Sequence, residues 1–100
     1  MNGKGGYVYI ISNKARTVLY TGVTADLYAR IIDHRDKKYH GSFTARYGAG
    51  VLLYYNFFSS IEEAIAEEKR IKGGSRQAKI NLINEMNPEW RDLFPDVEEW

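Results

Sequence analysis

The sequence predicts an α+β fold in which a small three-stranded antiparallel sheet is flanked by about three helices. Two short segments rich in β-branched and aromatic residues, residues 7–12 and 18–23, flank a polar turn and therefore predict a β-hairpin. A nearly continuous apolar and aromatic run, Val51 to Phe58, is typical of a buried, central third strand. Apolar residues at helical spacing follow the second and third strands, which gives the element order β-β-α-β-α-α.

The length and composition predict one globular domain over residues 1–100, since 44% of the residues are apolar and 27% are charged. The glycine-rich residues 1–6 are predicted to form a flexible leader, and residues 88–100 a tail that docks on the body or frays. No run approaches the roughly 20 apolar residues of a membrane span, so no membrane association is expected. The sequence has no cysteine, which excludes disulfides and thiolate metal sites and is compatible with the cytoplasmic location that we expect.

The hairpin determines whether two tyrosines, Tyr9 and Tyr20, lie on the same face of the sheet. Side chains alternate along a strand, so Tyr7, Tyr9 and Ile11 share one face of the first strand, and Tyr20 and Gly22 share one face of the second. If the loop between the strands has an even number of residues, Tyr9 and Tyr20 lie on the same face of the sheet, whereas an odd number without a bulge separates them. Gly22 is then expected to leave open space beside the two phenols.

The first helix is predicted over residues 26–36, with Thr24 or Asp26 as its N-cap. Its apolar stripe consists of Leu27, Tyr28, Ile31 and Ile32. Arg30 and His34 are four residues apart, which places a permanent cation and a titratable imidazole along one edge of that stripe. Taken alone, His34 is most simply interpreted as a solvated helix histidine.

The second helix carries a carboxylate at a position that should face the core. Ser60 and Glu63 form a capping-box pattern at its start, and its buried face is predicted to contain Ile61, Ala64, Ile65, Ile71 and the stem of Lys72. Glu68 falls in the middle of that face, whereas Glu67 lies outside it. A buried carboxylate is costly unless it is paired or binds a metal. Glu68 is therefore expected either to form an ion pair with an arginine or to be a metal ligand.

The third helix is predicted over residues 76–86, with Ser75 as its N-cap after a Gly-Gly stop. Its inward residues are expected to be Ala78, Leu82, Ile83 and Met86. Beyond it, Trp90, Leu93 and Phe94 are too large and apolar to leave in solvent, so this segment is expected to dock on the body.

The ordered set of motifs resembles the GIY-YIG endonuclease family. Tyr-Val-Tyr-Ile at residues 7–10 stands for the first motif and Tyr-Thr-Gly-Val-Thr at residues 20–24 for the second, and Arg30 and His34 follow at the expected spacing. The chain departs from the family name in having Tyr-Val-Tyr for Gly-Ile-Tyr, and Thr21 in place of isoleucine. The resemblance extends from Tyr7 to about Leu93. The chain resembles the small stand-alone bacterial members of this family, which are similar to the N-terminal domain of excinuclease C.

The resemblance implies a metal-dependent nuclease that hydrolyses phosphodiester bonds in DNA. Tyr9 and Tyr20 would be the motif tyrosines, with Tyr9 favoured to orient or deprotonate the attacking water. Arg30 would stabilise the developing charge, and His34 would bind a phosphate or position Tyr9. Glu68, on the helix after the third strand, would hold one Mg²⁺ or Mn²⁺ ion.

The family also places an asparagine after the metal-binding glutamate, and in this chain Asn81 and Asn87 are both candidates without a clean match. The lysine often found just after the glycine of the second motif is absent, since Val23 and Thr24 stand there.

The charge distribution is compatible with a phosphate-binding face. Residues 1–84 hold 13 of the 14 Lys and Arg residues and 7 of the 13 Asp and Glu residues, whereas the remaining acidic residues crowd the C-terminal end. The expected nucleic-acid contacts are Lys37, Lys38, Arg46, Lys72 and Arg76. The segment over residues 37–50, which mixes cations with aromatic rings, is interpreted equally well as an ordinary ordered surface loop.

Two other functions stay open at this point. The near-neutral net charge of +1 and the small size favour weak or assisted binding, as in a nucleic-acid-binding module without robust catalysis. A subunit that acts only with a protein partner, which would contact the acidic tail or an exposed aromatic patch, is a further alternative. The DNA structure, the choice between DNA and RNA, the oligomeric state and the pathway do not follow from the sequence.

Overall fold

The computed structural model describes residues 5–35 and 50–98 of the chain. They form the strands β1 (Gly6–Ser12), β2 (Leu19–Thr24) and β3 (Val51–Phe58), and the helices α1 (Leu27–Arg35), α2 (Ile61–Lys72), α3 (Arg76–Met86) and α4 (Phe94–Glu98). The predicted α+β fold and element order are confirmed. One short helix, α4, is added in the segment over residues 87–98, which we call the closing segment. Gly6, which was predicted to belong to the leader, is already part of β1.

The sheet is antiparallel with the strand order β2-β1-β3, so β1 is its central strand. The prediction that β3 is central is wrong, because β3 lies at an edge. Its apolar run is nevertheless buried at Leu52, Leu53 and Tyr54, because apolar side chains cover both faces of the strand and the closing segment covers its outer edge. The backbone N–H of Leu93 donates to the carbonyl of Leu52 over 2.7 Å, and the Leu52 N–H donates to Oδ1 of Asp92 over 3.1 Å.

The β1–β2 hairpin has a regular register in which Tyr9 is opposite Gly22 and Ile11 is opposite Tyr20. Ser12 and Leu19 close the ladder, so the loop contains an even number of residues. Inside the loop, Oδ1 of Asn13 accepts hydrogen bonds from the backbone N–H groups of residues 17 and 18. The condition for a shared face is met, and Tyr9 and Tyr20 lie on the same side of the sheet.

The sheet separates two apolar clusters, as the alternation of side chains along β1 predicts. The cluster on the face of Tyr9 also contains Ile11, Leu27, Ile31, Leu52, Leu93, Phe94 and Val97. The cluster on the other face contains Val8, Ile10, Leu53, Tyr54, Ala64, Ile71 and Ile83. Consequently α1 and α4 cover one face, and α2 and α3 cover the other.

The helix starts follow their capping residues. Asp26 caps α1, since its Oδ1 accepts the backbone N–H of Ala29 over 3.1 Å. The hydroxyl of Ser60 accepts the N–H of Glu63 over 3.2 Å at the start of α2, and Ser75 caps α3 in the same way. These bonds satisfy donors that a helix start leaves without an internal partner.

Several residues predicted to face the core are exposed. Tyr28 on α1 is 41% exposed, Ile65 on α2 is 37% exposed and Met86 on α3 is 40% exposed, and Ala78 is exposed as well. A helix that lies on a three-stranded sheet buries only the centre of its apolar stripe, so residues at the borders of the stripe remain in solvent. Tyr28 instead stacks on Phe94, with ring centroids 5.7 Å apart.

The closing segment is fixed by two polar side chains. The buried Asn87 donates from Nδ2 to the carbonyls of Leu53 and Arg91, and its Oδ1 accepts the Arg91 N–H. Asp92 accepts the N–H groups of Leu52 and Phe94 with Oδ1, while its Oδ2 lies 2.6 Å from Arg35. Over the described ranges, no helix has the length and apolar character needed to cross a membrane.

Candidate active site

A cleft of about 250 Å³ runs along β2 and collects side chains from four elements. The described residues that line it are Tyr9, Tyr20, Gly22, Val23, Arg30, His34 and Glu68. The set includes both motif tyrosines, both α1 residues and the glutamate that were singled out in the sequence. Because α1 and α2 lie on opposite faces of the sheet, the cleft forms where side chains from both faces meet at the β2 edge.

Helix α1 brings Arg30 and His34 into the cleft together. Leu27 and Ile31 are fully buried against the sheet and fix the rotation of the helix about its axis. Arg30 and His34 are one helical turn apart and lie along the border of that buried stripe. His34 is only 5% exposed, whereas Arg30 is half-buried.

His34 contacts both tyrosines. Its Nε2 lies 3.0 Å from the phenolic oxygen of Tyr9, and its ring packs edge-on against the rings of Tyr9 and Tyr20, each at a centroid distance of 5.8 Å. Burial lowers the pKa of His34, and the nearby Arg30 cation lowers this pKa further, while Asp33 opposes the shift. The site therefore favours the neutral imidazole, whose unprotonated nitrogen can accept a hydrogen bond.

Gly22 is required by the position of the Tyr9 ring. A Cβ atom on Gly22 would lie 2.4 Å from both Cζ and the phenolic oxygen of Tyr9, which is closer than real Cβ contacts. The space beside Gly22 that was expected to be open is thus filled by Tyr9. A bare backbone at residue 22 allows the phenol to cross β2 and reach His34.

Glu68 reaches the cleft from α2 with a side chain that is 13% exposed. Its Oε2 lies 2.9 Å from Nζ of Lys72, so the ion pair that was expected with an arginine is made with a lysine. The hydrogen bond to Glu68 raises the pKa of the Lys72 amine, which is therefore an ammonium at neutral pH. Glu67 pairs instead with Arg70 on the same helix.

The donor set of the cleft suits a magnesium-like ion. In the part of the chain that the structure describes, no group of three or more His, Cys, Asp or Glu side chains could hold a metal ion. Zinc sites need three or four protein ligands, whereas Mg²⁺ is commonly held by one or two carboxylates together with waters and substrate phosphates. A single Glu68 carboxylate on a cleft of this size fits the second kind of site.

The residues expected to contact nucleic acid have different positions. Lys37, Lys38 and Arg46 lie outside the described residues. Lys72 lies beside the cleft, with its ammonium 5.8 Å from the centroid of the Tyr20 ring. Arg76 donates to the carbonyl of Thr17 over 2.8 Å and ties the start of α3 to the β1–β2 loop.

Neither candidate asparagine is among the described residues that line the cleft. Asn81 is exposed on α3 and accepts a hydrogen bond from Gln77, whereas Asn87 is buried in the closing segment. The ion pair of Lys72 with Glu68 was not predicted, although a spacing of four residues on a helix is the signal for such a pair.

The sequence of this chain is similar to a known protein family and to several of its members. A family model described as the GIY-YIG catalytic domain matches residues 5–81. A UPF0213 protein of Staphylococcus haemolyticus is 42% identical over 79 residues, which cover 79% of this chain and 94% of that protein. A UPF0213 protein of Syntrophus aciditrophicus is 34% identical over 83 residues, which cover 83% of this chain and 93% of that protein.

A solved structure shares the fold. The solution NMR structure of a UPF0213 protein from Bacillus halodurans superimposes with a TM-score of 0.56 at 32% sequence identity. The match covers 88% of this chain and 92% of that chain. The likeness therefore extends over most of the fold rather than over an isolated motif.

Proposed function

This chain belongs to the GIY-YIG family, and we propose that it is a metal-dependent nuclease that hydrolyses phosphodiester bonds in DNA. The observation that carries the proposal is the convergence of Tyr9, Tyr20, Arg30, His34 and Glu68 on one cleft. These residues come from four elements and both faces of the sheet. Hydrolysis of a phosphodiester needs a positioned water, a base, charge stabilisation at phosphorus and help for the leaving oxygen, and this set can supply each of them.

Tyr9 is assigned to the attacking water. Its phenolic oxygen lies 3.0 Å from Nε2 of His34, and a neutral imidazole can accept the phenolic proton. As that proton shifts toward His34, the Tyr9 oxygen becomes a better acceptor for a proton of the water. Tyr20 also packs edge-on against the imidazole, so it supports the position of His34 and presents a second phenol to the cleft.

Arg30 and Glu68 are assigned to the phosphate. The guanidinium of Arg30 is planar, always charged and able to bind two phosphoryl oxygens, so it would stabilise the charge that develops during attack. Glu68 would hold one divalent cation, Mg²⁺ or Mn²⁺, which when bound polarises the phosphoryl oxygen and stabilises the leaving oxygen.

The nucleic acid is proposed to approach along β2, where Lys72 lies beside the cleft. Arg76 is exposed at the start of α3 and would contact the backbone farther from the reacting phosphate. Lys37, Lys38 and Arg46 are proposed as further phosphate contacts from their charge alone. Phosphate contacts of this kind position a duplex without reading its bases.

A plasmid-nicking assay with Mg²⁺ or Mn²⁺ tests the proposal. Wild-type protein is expected to nick supercoiled DNA, and Glu68→Gln and Arg30→Ala are each expected to lower the rate about 100-fold or more. Glu67→Gln is the matched control, because Glu67 is the adjacent carboxylate on α2 but pairs with Arg70 outside the cleft. Its rate should stay within about twofold of wild type.

Equal rates for wild type, Glu68→Gln and Arg30→Ala would contradict the nuclease proposal. In that case a gel-shift measurement on the same proteins would favour a nucleic-acid-binding module if binding persists. A requirement for an added cell fraction would favour a partner-dependent subunit. Parallel assays on RNA of matched sequence decide between DNA and RNA as substrate.

A further inference from the structure

The Glu68 carboxylate, which faces the cleft, forms an ion pair with the ammonium group of a lysine. Nζ of Lys72 lies 2.9 Å from Oε2 of Glu68, and the two residues are one turn apart on α2. The same ammonium lies 5.8 Å from the centroid of the Tyr20 ring, within the range of a cation–π contact. Two partners from different elements therefore hold Lys72 against the oxygen that a metal ion would use.

The arrangement sets two cations in competition for one acid. A divalent ion on Glu68 would either displace the ammonium from the carboxylate or share the carboxylate with it and be repelled by it at short range. Glu68 is 13% exposed, so water screens this repulsion less at its carboxylate than it would on an open surface. Lys72 is 50% exposed and can withdraw toward solvent at moderate cost.

We propose that Lys72 competes with the divalent cation for Glu68 and keeps the metal affinity of the free protein low. The inference rests on the proposed function, because it takes Glu68 to be the metal ligand. Lys72 is a positioning residue in this scheme, since it acts on the metal site through Glu68. Metal loading then depends on the phosphate groups of the substrate, which supply further oxygen ligands and draw the ammonium away from the carboxylate.

Direct binding of Mn²⁺ to the protein without nucleic acid tests the inference. The loss of the electron paramagnetic resonance signal of free Mn²⁺ gives the affinity independently of any activity. Lys72→Met keeps the length of the side chain but removes its charge, and it is expected to bind Mn²⁺ about tenfold more tightly than wild type. Lys72→Arg keeps a cation at this position and should stay within about threefold of wild type.

Two controls test whether the change in Mn²⁺ affinity is specific to Lys72 and acts through Glu68. Lys69→Met removes an exposed lysine from the same helix and should leave the Mn²⁺ affinity unchanged. The double variant Lys72→Met with Glu68→Gln should lose the gain completely, because the gain acts through Glu68. Thermal unfolding shows whether each variant is folded, and Lys72→Gln replaces Lys72→Met if the methionine variant is not.

The outcomes separate this inference from the proposed function. If Lys72→Met binds Mn²⁺ no more tightly than wild type while Glu68→Gln abolishes nicking, the competition is refuted and the nuclease stands. If the double variant binds Mn²⁺ as tightly as Lys72→Met, Glu68 is not the ligand, and both the inference and the assigned metal site fail.

Discussion

The phenolic oxygen of Tyr9 and Nε2 of His34 lie 3.0 Å apart, although 25 residues separate them in the chain. One residue belongs to the central strand and the other to the last turn of α1. Their contact joins the first motif to the helix that follows the second motif, and it depends on a glycine opposite Tyr9.

A lower pH is expected to reduce the free energy of unfolding through protonation of His34. Burial and Arg30 lower its pKa, so between that lowered value and about 6.5, the ordinary histidine value, the unfolded chain binds more protons at His34 than the folded protein does. The stability linked to His34 is therefore complete above about pH 6.5 and is lost as the pH falls through the folded pKa. Urea unfolding across this range measures it. His34→Gln should flatten this part of the profile, and an unaltered slope in the variant would contradict the prediction.

Tyr9 and Tyr20 should differ in their effect on nicking. Tyr9→Phe removes the hydroxyl that contacts His34 and faces the proposed water, so we expect a loss of about 100-fold or more. Tyr20→Phe keeps the ring that packs on His34 and should cost less. Initial nicking rates at saturating DNA compare the two, with the exposed Tyr28→Phe as the control. A greater loss in Tyr20→Phe than in Tyr9→Phe would reverse the assigned roles.

Gly22→Ala should displace the Tyr9 ring. The added Cβ would lie 2.4 Å from Cζ of Tyr9, so the ring or the strand must move, and overpacking of this kind costs about 1–3 kcal/mol. Both the free energy of unfolding and the nicking rate are expected to fall. Gly73→Ala is the matched control, because the added Cβ would lie 3.4 Å from the carbonyl oxygen of Lys69, at ordinary van der Waals distance, and the backbone of Gly73 is helical. Equal behaviour of the two variants would show that Tyr9 does not need the bare backbone.

Asn87→Ala should destabilise the fold without touching the cleft. The change leaves the carbonyl of Leu53 and the backbone of Arg91 without their side-chain partner, at a cost of about 2–3 kcal/mol. Asn81→Ala, on the exposed face of α3, should change the free energy of unfolding by no more than about 0.5 kcal/mol. Urea denaturation of both variants measures the difference. Similar values would mean that the Asn87 network contributes little.

The sequence was sufficient for the features that depend on neighbours in the chain. The faces of β1 and the starts of α2 and α3 follow from strand alternation and from the capping residues Ser60 and Ser75, which act within a few residues. The predicted core face of α2 included Glu68, whose side chain is 13% exposed. However, Glu67, which was predicted to lie outside that face, is nearly as buried at 19%, and Ile65, which was predicted to lie inside it, is exposed. Periodicity gives the direction of a stripe, whereas its buried width depends on the size of the surface beneath it.

Features that depend on distant segments did not follow from the sequence. A continuous apolar run indicates burial, but it does not say whether a neighbouring strand or a loop provides the cover, so β3 was assigned to the centre of the sheet. The cleft itself depends on α1 and α2 lying on opposite faces, which brings Glu68 around the β2 edge to Tyr9. The pairing of Glu68 with Lys72 was within reach of the helical spacing, but the contact of Lys72 with Tyr20 was not.

The closing segment determines where this domain could be cut if it were fused to other proteins. The family match ends at residue 81, yet Leu93, Phe94 and Val97 belong to the same apolar cluster as Tyr9, and Asp92 seals the outer side of β3. A fusion cut at the boundary of the match would expose Leu52 and loosen the apolar layer on which Tyr9 rests. A portable version of this domain must therefore extend through residue 98.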